Sequence, residues 1–305
     1  MTVDQLWKVS YLRWEEVEDG EGKERLRKVQ KNDSIYSILE QLASDLPSFR
    51  IQRLVKVQQE KRFNHLHGLK EKDTVLLQFD FSKNPNIQEQ DEVQTAHWYH
   101  LTCSLFTACA WINGIIVSFA VVSDYMHHDK YLTFIALIKI IKKLFKQFKI
   151  ITDIHLFSDG AAQHFKQRFL LNAVTLIPQF LGLPYEQIDV SYDVFATSHG
   201  KGAVDGVGGS IKRMVMAEVT CRKEIIHTSE DYARVAKKVC PKVNVIHTSK
   251  EEVQKESKLL DTVAFSGVKN LPGIRKIHKM MVTGPNQMDV SSFHGSSDKK
   301  KHSFK

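Results

Sequence analysis

Residues 71–220 predict an α/β fold, in which three antiparallel strands and a following α-β-α-β-α alternation build one mixed sheet with helices on both faces. Three observations carry this reading. The run TVLLQFDFS (74–82) is apolar and short enough for a buried strand. The stretch LTCSLFTACAWINGIIVSFAVV (101–122) carries no charge and is interrupted by Asn113-Gly114. Beyond it, helical and extended patterns alternate as far as a glycine-rich segment.

The elements follow in order. Residues 1–70 are charged and read as helical: SIYSILEQLASDL, entered through Asn32 and Asp33, has the look of a capped amphipathic helix, and LPSFRIQRLVKVQQEKRFNHLH of a second, basic one. The stretch 101–122 is long enough to cross a bilayer. Asn-Gly between two apolar runs is nevertheless the strongest short-range hairpin signal, because both residues tolerate positive φ, so two buried strands are expected. In YLTFIALIKIIKKLFKQFK (131–149), Ile138, Ile141, Phe145 and Phe148 form one stripe, with Lys139, Lys142, Lys143 and Lys146 on a solvated side. ITDIHLFSD (151–159) reads as a strand, AAQHFKQRFLLNAVTLI (161–177) as a helix and QIDVSYDVFA (187–196) as a strand. Residues 221–285 form a C-terminal extension, and 286–305 a basic, low-complexity tail expected to be disordered.

Bulk properties narrow the function only mildly. A hydrophobic fraction of 42% suffices for a real core, and 43 basic against 35 acidic residues, a formal +8, leans toward an anionic partner. Cys103, Cys109, Cys221 and Cys240 form no C-x-x-C pair and read as free thiols. The opening MTVDQLWK lacks the apolar region of a secretory leader. A protein of the nucleus or cytoplasm, with no membrane partner, is expected.

Five of the chain's 15 glycines fall in HGKGAVDGVGGSIKR (199–213), around Asp205. Local propensity favours a loop, since interior glycines weaken a helix by roughly 1 kcal/mol each. If 202–217 is helical instead, Lys201, Asp205, Gly208, Gly209 and Lys212 share a face, with Gly202, Gly206, Gly209 and Arg213 adjacent. Glycines on such a face let a helix approach a sheet closely. Nucleotide-loop patterns fail here: Gly200-Lys201 is followed by glycine, and Asp205 replaces the third glycine of a dinucleotide fingerprint. Asp80 and Asp159 each end an apolar strand, where sites in mixed α/β sheets gather. Three aspartates converging there suit hard cations, and two Mg²⁺ (or Mn²⁺) ions are the expected cofactors. Lys166, Arg168, Lys201, Lys212 and Arg213 are the candidate phosphate contacts.

The ordered series DFSKN, QDE, AHW, VSD, HDK, SDGAAQHFK and ATSHGKGAVDGVGGSIKR, with LPGIRKIH near the C-terminus, resembles a group of mobile-element-derived animal proteins. More broadly, the chain resembles the RNase H-like superfamily of DDE/D transposases and retroviral-type integrases. The resemblance covers residues 35–285. It implies metal-dependent DNA cleavage and strand transfer by a triad of Asp80, Asp159 and Asp205, with Glu218 competing for the third place. It also implies an assisting acid at Asp129, and a His199 that touches the leaving group or caps its turn. No DNA-reading zinc finger or helix-turn-helix is recognisable. The alternative function is therefore a domesticated or decayed protein that binds nucleic acid or protein without catalysis. DNA is the expected partner, and self-association stays open.

Overall fold

The computed structural model describes residues 8–18, 20, 22–87, 101–196 and 202–305. The chain divides into two units, Met1–Leu54 and Val55–Lys305. The first holds β1 (Lys8–Glu18) and β2 (Glu24–Ser34), paired antiparallel, and the start of α1 (Ile35–Gly68), whose residues from Val55 onward belong to the second. The expectation of a helical 1–70 is thus corrected over 8–34. Charge density there hides a two-residue period: Tyr11, Arg13, Glu15 and Val17 share one side of β1. Cross-strand pairs reinforce it, with the Tyr11 hydroxyl donating to Asp33 at 2.8 Å and Lys31 lying 2.9 Å from Glu15. One helix replaces the two expected, and it continues through Pro47.

The second unit continues with β3 (Thr74–Ser82), β4 (Asn86–Ile87), β5 (Leu101–Thr102), β6 (Ser104–Ile112), β7 (Ile115–Ser123), α2 (Lys130–Gln147), β8 (Asp153–Ser158), α3 (Arg168–Thr175), α4 (Ile177–Leu181), β9 (Asp189–Val194), α5 (Ala203–Thr220), α6 (Ser229–Val239), β10 (Val243–His247), α7 (Lys250–Leu260), β11 (Lys279–Gly284), β12 (Gln287–Ser291) and β13 (Lys300–Ser303). Nine strands form one mixed sheet in the order β10-β7-β6-β3-β8-β9-β11-β12-β13, and β4 pairs with β5. The β7-β6-β3 run is antiparallel, and β8 and β9 join it in parallel. The hairpin turns at Asn113-Gly114, whose φ values of 51° and 71° are the left-handed pair a type I′ turn requires. Among the described residues no helix is long and apolar enough to cross a membrane.

Strand alternation divides the core. Val75, Leu77 and Phe79 face one way with Phe106, Phe119 and Val121, under α2 and α3; Leu105, Ala120 and Val122 face the other, under α5 and α6. Leu76 and Phe157 share this second face, where Phe63 and Leu66 of α1 cover them. Lys139 departs from its expected solvated side: it lies 2.6 Å from Glu252 and donates to Thr248, because α7 packs over that part of α2. The helix expected over 161–177 shortens to α3. The Ala161 carbonyl accepts from His164, Phe165 and Lys166 in a tight turn before the helix begins.

The tail is ordered, which corrects the reading of 286–305. β12 pairs with β11 and β13, Phe304 is fully buried, and its N–H donates to the Asn286 carbonyl at 2.8 Å. One aromatic anchor in a lysine- and serine-rich string outweighs its composition. The 221–285 stretch is likewise no appendage, since β10 and β11 lie in the main sheet.

Candidate active site

Asp80 sits near the end of β3 and Asp159 one residue beyond β8. These strands pair in parallel with Gln78 opposite Phe157, so two further places along the register set Asp80 level with Asp159. Both project to the face covered by α1 and α5. Each carboxylate is oriented by its own turn: Asp80 Oδ1 accepts from Phe81 N at 2.7 Å, and Asp159 Oδ1 from Ala161 N at 3.1 Å.

The glycine stretch is a helix, against its local propensity, and the reason lies beneath it. Gly208 is buried, and a Cβ there would stand 2.4 Å from Ser82 Oγ and 2.9 Å from Ser82 Cβ. A Cβ on Gly202 would meet Gln78 Nε2 at 3.2 Å. Gly202 therefore lies over Gln78 and Gly208 over Ser82, and Asp205, between them in the chain, is near enough for its charge to raise Asp80. Only these two of the helix's glycines are in close approach; Gly206 and Gly209 face open space. The expectation that Gly206 and Gly209 belong to the packing face is corrected accordingly. Lys212, one turn beyond Gly208, donates to Ser82 Oγ at 2.9 Å and to the Lys83 carbonyl at 3.3 Å.

Electrostatics report the same gathering. Burial, then the charge of Asp159 and that of Asp205, push the Asp80 carboxyl up to about 7, against the lowering bond from Phe81 N. Burial and the neighbouring Lys83 lower the Lys212 ammonium, while Asp205 opposes the shift. Among the described residues no group of three or more His, Cys, Asp or Glu side chains stands close enough to hold a metal ion. Asp80 feels the charge of the other two acids, but the three do not close into a cage.

The other candidates divide. Glu218 lies at the far end of α5, 3.7 Å from Lys238 and 3.8 Å from Lys223, away from Asp80. Asp129 caps α2, accepting from Tyr131 N and Leu132 N and from the Tyr125 hydroxyl. Lys166 is corrected as a phosphate contact. It is only 6% exposed, donates to the Arg275 carbonyl at 2.7 Å, and lies 3.3 Å from His278 Nε2. Arg168 bonds Asn270 and stacks on Phe169, half-buried. Arg213 is exposed on α5. His199 and Lys201 fall outside the described residues.

Two histidines that the sequence reading passed over pack at the end of β3, on the Phe81 side of the strand rather than the Asp80 side. His128 stacks on Phe81 with ring centroids 4.1 Å apart and bonds Asn84 at 2.9 Å, and His164 Nδ1 bonds the His128 carbonyl. Both belong to motifs quoted above, HDK and SDGAAQHFK, whose aspartates drew the attention. A cleft of about 250 Å³ opens next to Lys212, between the 83–87 segment and the α5–α6 pair, with Lys83 and Tyr232 in its lining.

The family model described as Domain of unknown function (DUF8701) matches residues 59–294. The chain belongs to this family. The DUF8701 span holds Asp80, Asp159 and Asp205 and begins four residues into the second unit, so the first unit lies outside it. No curated protein and no solved structure matches the chain.

Proposed function

We propose that this chain is an RNase H-like protein of mobile-element origin that cleaves and transfers DNA strands with Asp80, Asp159 and Asp205 as its acidic triad. The observation that carries the reading is the approach of two carboxylates, Asp159 from the adjacent strand end and Asp205 from a helix, on Asp80, whose carboxyl is pushed up to about 7. The order β7-β6-β3-β8-β9 and the motif series support the superfamily assignment.

The donor set fits hard divalent cations: it is all carboxylate oxygen, and like charges gathered about half-buried Asp80 are relieved by a cation. Asp80, Asp159 and Asp205 would hold two Mg²⁺ or Mn²⁺ ions, which when bound activate an attacking oxygen and stabilise a leaving one. The protein's own groups prepare the site. Phe81 N and Ala161 N aim two of the carboxylates, and Gly208 lets α5 sit low over Ser82, with Asp205 within range to act on Asp80 by its charge. Lys212, anchored by Ser82 and Lys83, supplies a cation for the phosphate of the bound strand, with exposed Arg213 on the following position.

Nicking of supercoiled plasmid and hairpin DNA, with Mg²⁺ and with Mn²⁺, tests this. Cleavage by the wild type should be lost in Asp159→Asn and Asp205→Asn, with DNA binding retained. Cleavage that survives Asp205→Asn but not Glu218→Gln would move the third ligand to Glu218. The second reading, a nucleic-acid-binding protein without catalysis, is favoured by the acids' failure to close to ligand distance. It prevails if DNA is bound but neither metal supports cleavage of either form.

A further inference from the structure

The first unit presents an anomaly that the proposed chemistry does not use. Among its described residues none is buried, yet it is rich in large apolar side chains. On the hairpin, Leu12, Trp14 and Leu26 share one face through the pairings Leu12–Gln30, Trp14–Lys28 and Glu16–Leu26, and each is at least 60% exposed. On the helix, residues 35–54 are exposed on every side save at half-buried Ile38. A two-stranded hairpin and one uncovered helix are each marginal in water, because neither removes enough apolar surface from it. Something must cover them.

The spacing on the helix says what kind of cover fits. Ile35, Leu39, Leu42, Leu46 and Phe49 follow one another at intervals of four, three, four and three residues, the a/d seam of a left-handed coiled coil. All five are between 39% and 58% exposed. Pro47 takes a b position, so its missing N–H lies off the seam. With Leu39 and Leu46 at a, Asp45 is a g residue and Arg50 the e residue five places on. In a parallel two-fold pair each Asp45 faces the other copy's Arg50, so a single sequence supplies both halves of the charge match. Asp45 is engaged within its own chain only loosely, at 4.0 Å from Arg13 with both side chains exposed, and by Gln41.

We infer that the first unit is a self-association module, in which two copies of this chain pair in parallel along the Ile35–Phe49 seam. The pairing leaves the second unit's aspartates untouched and does not depend on their chemistry.

Sedimentation velocity of the full chain at tens of micromolar tests the inference. The expected species has twice the monomer's 35.0 kDa. Leu42→Glu should return the chain to monomer, with the circular dichroism and thermal transition of the second unit unchanged. Asp45→Arg and Arg50→Asp singly place like charges across the seam and should each weaken the dimer by roughly tenfold. The double reversal should restore most of the loss, which an antiparallel or unrelated contact would not. A wild-type chain that stays monomeric overturns the inference, as does a dimer unmoved by Leu42→Glu. So does a dimer in which the double reversal adds the two defects together.

Discussion

The two units hold similar kinds of apolar residue and use them in opposite ways. In the second, phenylalanines and branched side chains alternate across a nine-stranded sheet and vanish under helices on both faces. In the first, leucines, a tryptophan and a phenylalanine stand at comparable density on a hairpin and a helix and stay in contact with solvent. The lesson is that burial follows from having layers to stack. A two-stranded ribbon and a single helix supply none, whatever their composition.

The contrast makes unequal demands on mutation. Phe134, 1% exposed and edge-on to Phe180 at 5.1 Å, should destabilise the second unit by about 3–5 kcal/mol when changed to alanine, in urea titrations followed by tryptophan fluorescence. Leu12→Ala in the hairpin should leave that transition within about 0.5 kcal/mol. Equal effects at the two positions would break the comparison.

A lysine enclosed in the dense unit sharpens it through pH. Burial lowers the Lys166 ammonium to about 8 from 10.5. The folded state favours its neutral form, so the stability it contributes is fully present above about pH 10.5 and is lost as pH falls through about 8. The stability difference between wild type and Lys166→Met should therefore decline over that window, by on the order of 3 kcal/mol, and be level below it. A difference that is flat from pH 7 to 10.5 would mean the ammonium is solvated.

The same inside–outside contrast recurs within one helix. Gly208→Val drives a side chain into Ser82 and should cost about 1–3 kcal/mol, part of it recovered by adding Ser82→Gly. Gly206→Ala meets open space, and by helix propensity should stabilise by about 0.5–1 kcal/mol in thermal melts. Reversed signs would show that α5 sits rotated from the packing described.

Much of the sheet was legible because its signals are local. Asn113-Gly114 announces the hairpin through backbone conformation alone, and the strand-ending aspartates stand out against apolar runs. The rest depended on partners distant in sequence. α5 reads as a loop until Ser82 and Gln78 lie beneath its glycines. Lys166 reads as a surface cation until the Arg275 carbonyl and His278 close over it. Phe304 is lost among lysines and serines until a strand edge receives it. The β1–β2 hairpin was misread for another reason: its alternating pattern is written largely in charged residues, where hydrophobic periodicity gives no contrast.

One connection carries a consequence for time as well as space. Between β9 and β10 the chain crosses the sheet, laying α5 over β3 and β6 and α6 over β7 before β10 pairs at the far edge. Such a strap is expected to seat after the strands beneath it have aligned, since the entropy of closing so long a loop is recovered by contacts with that surface. Asp80 and Asp159 take their places with the pairing of two neighbouring strands, whereas Asp205 arrives with the strap. On that order a newly collapsed chain would hold Asp80 and Asp159 in register before Asp205 is seated.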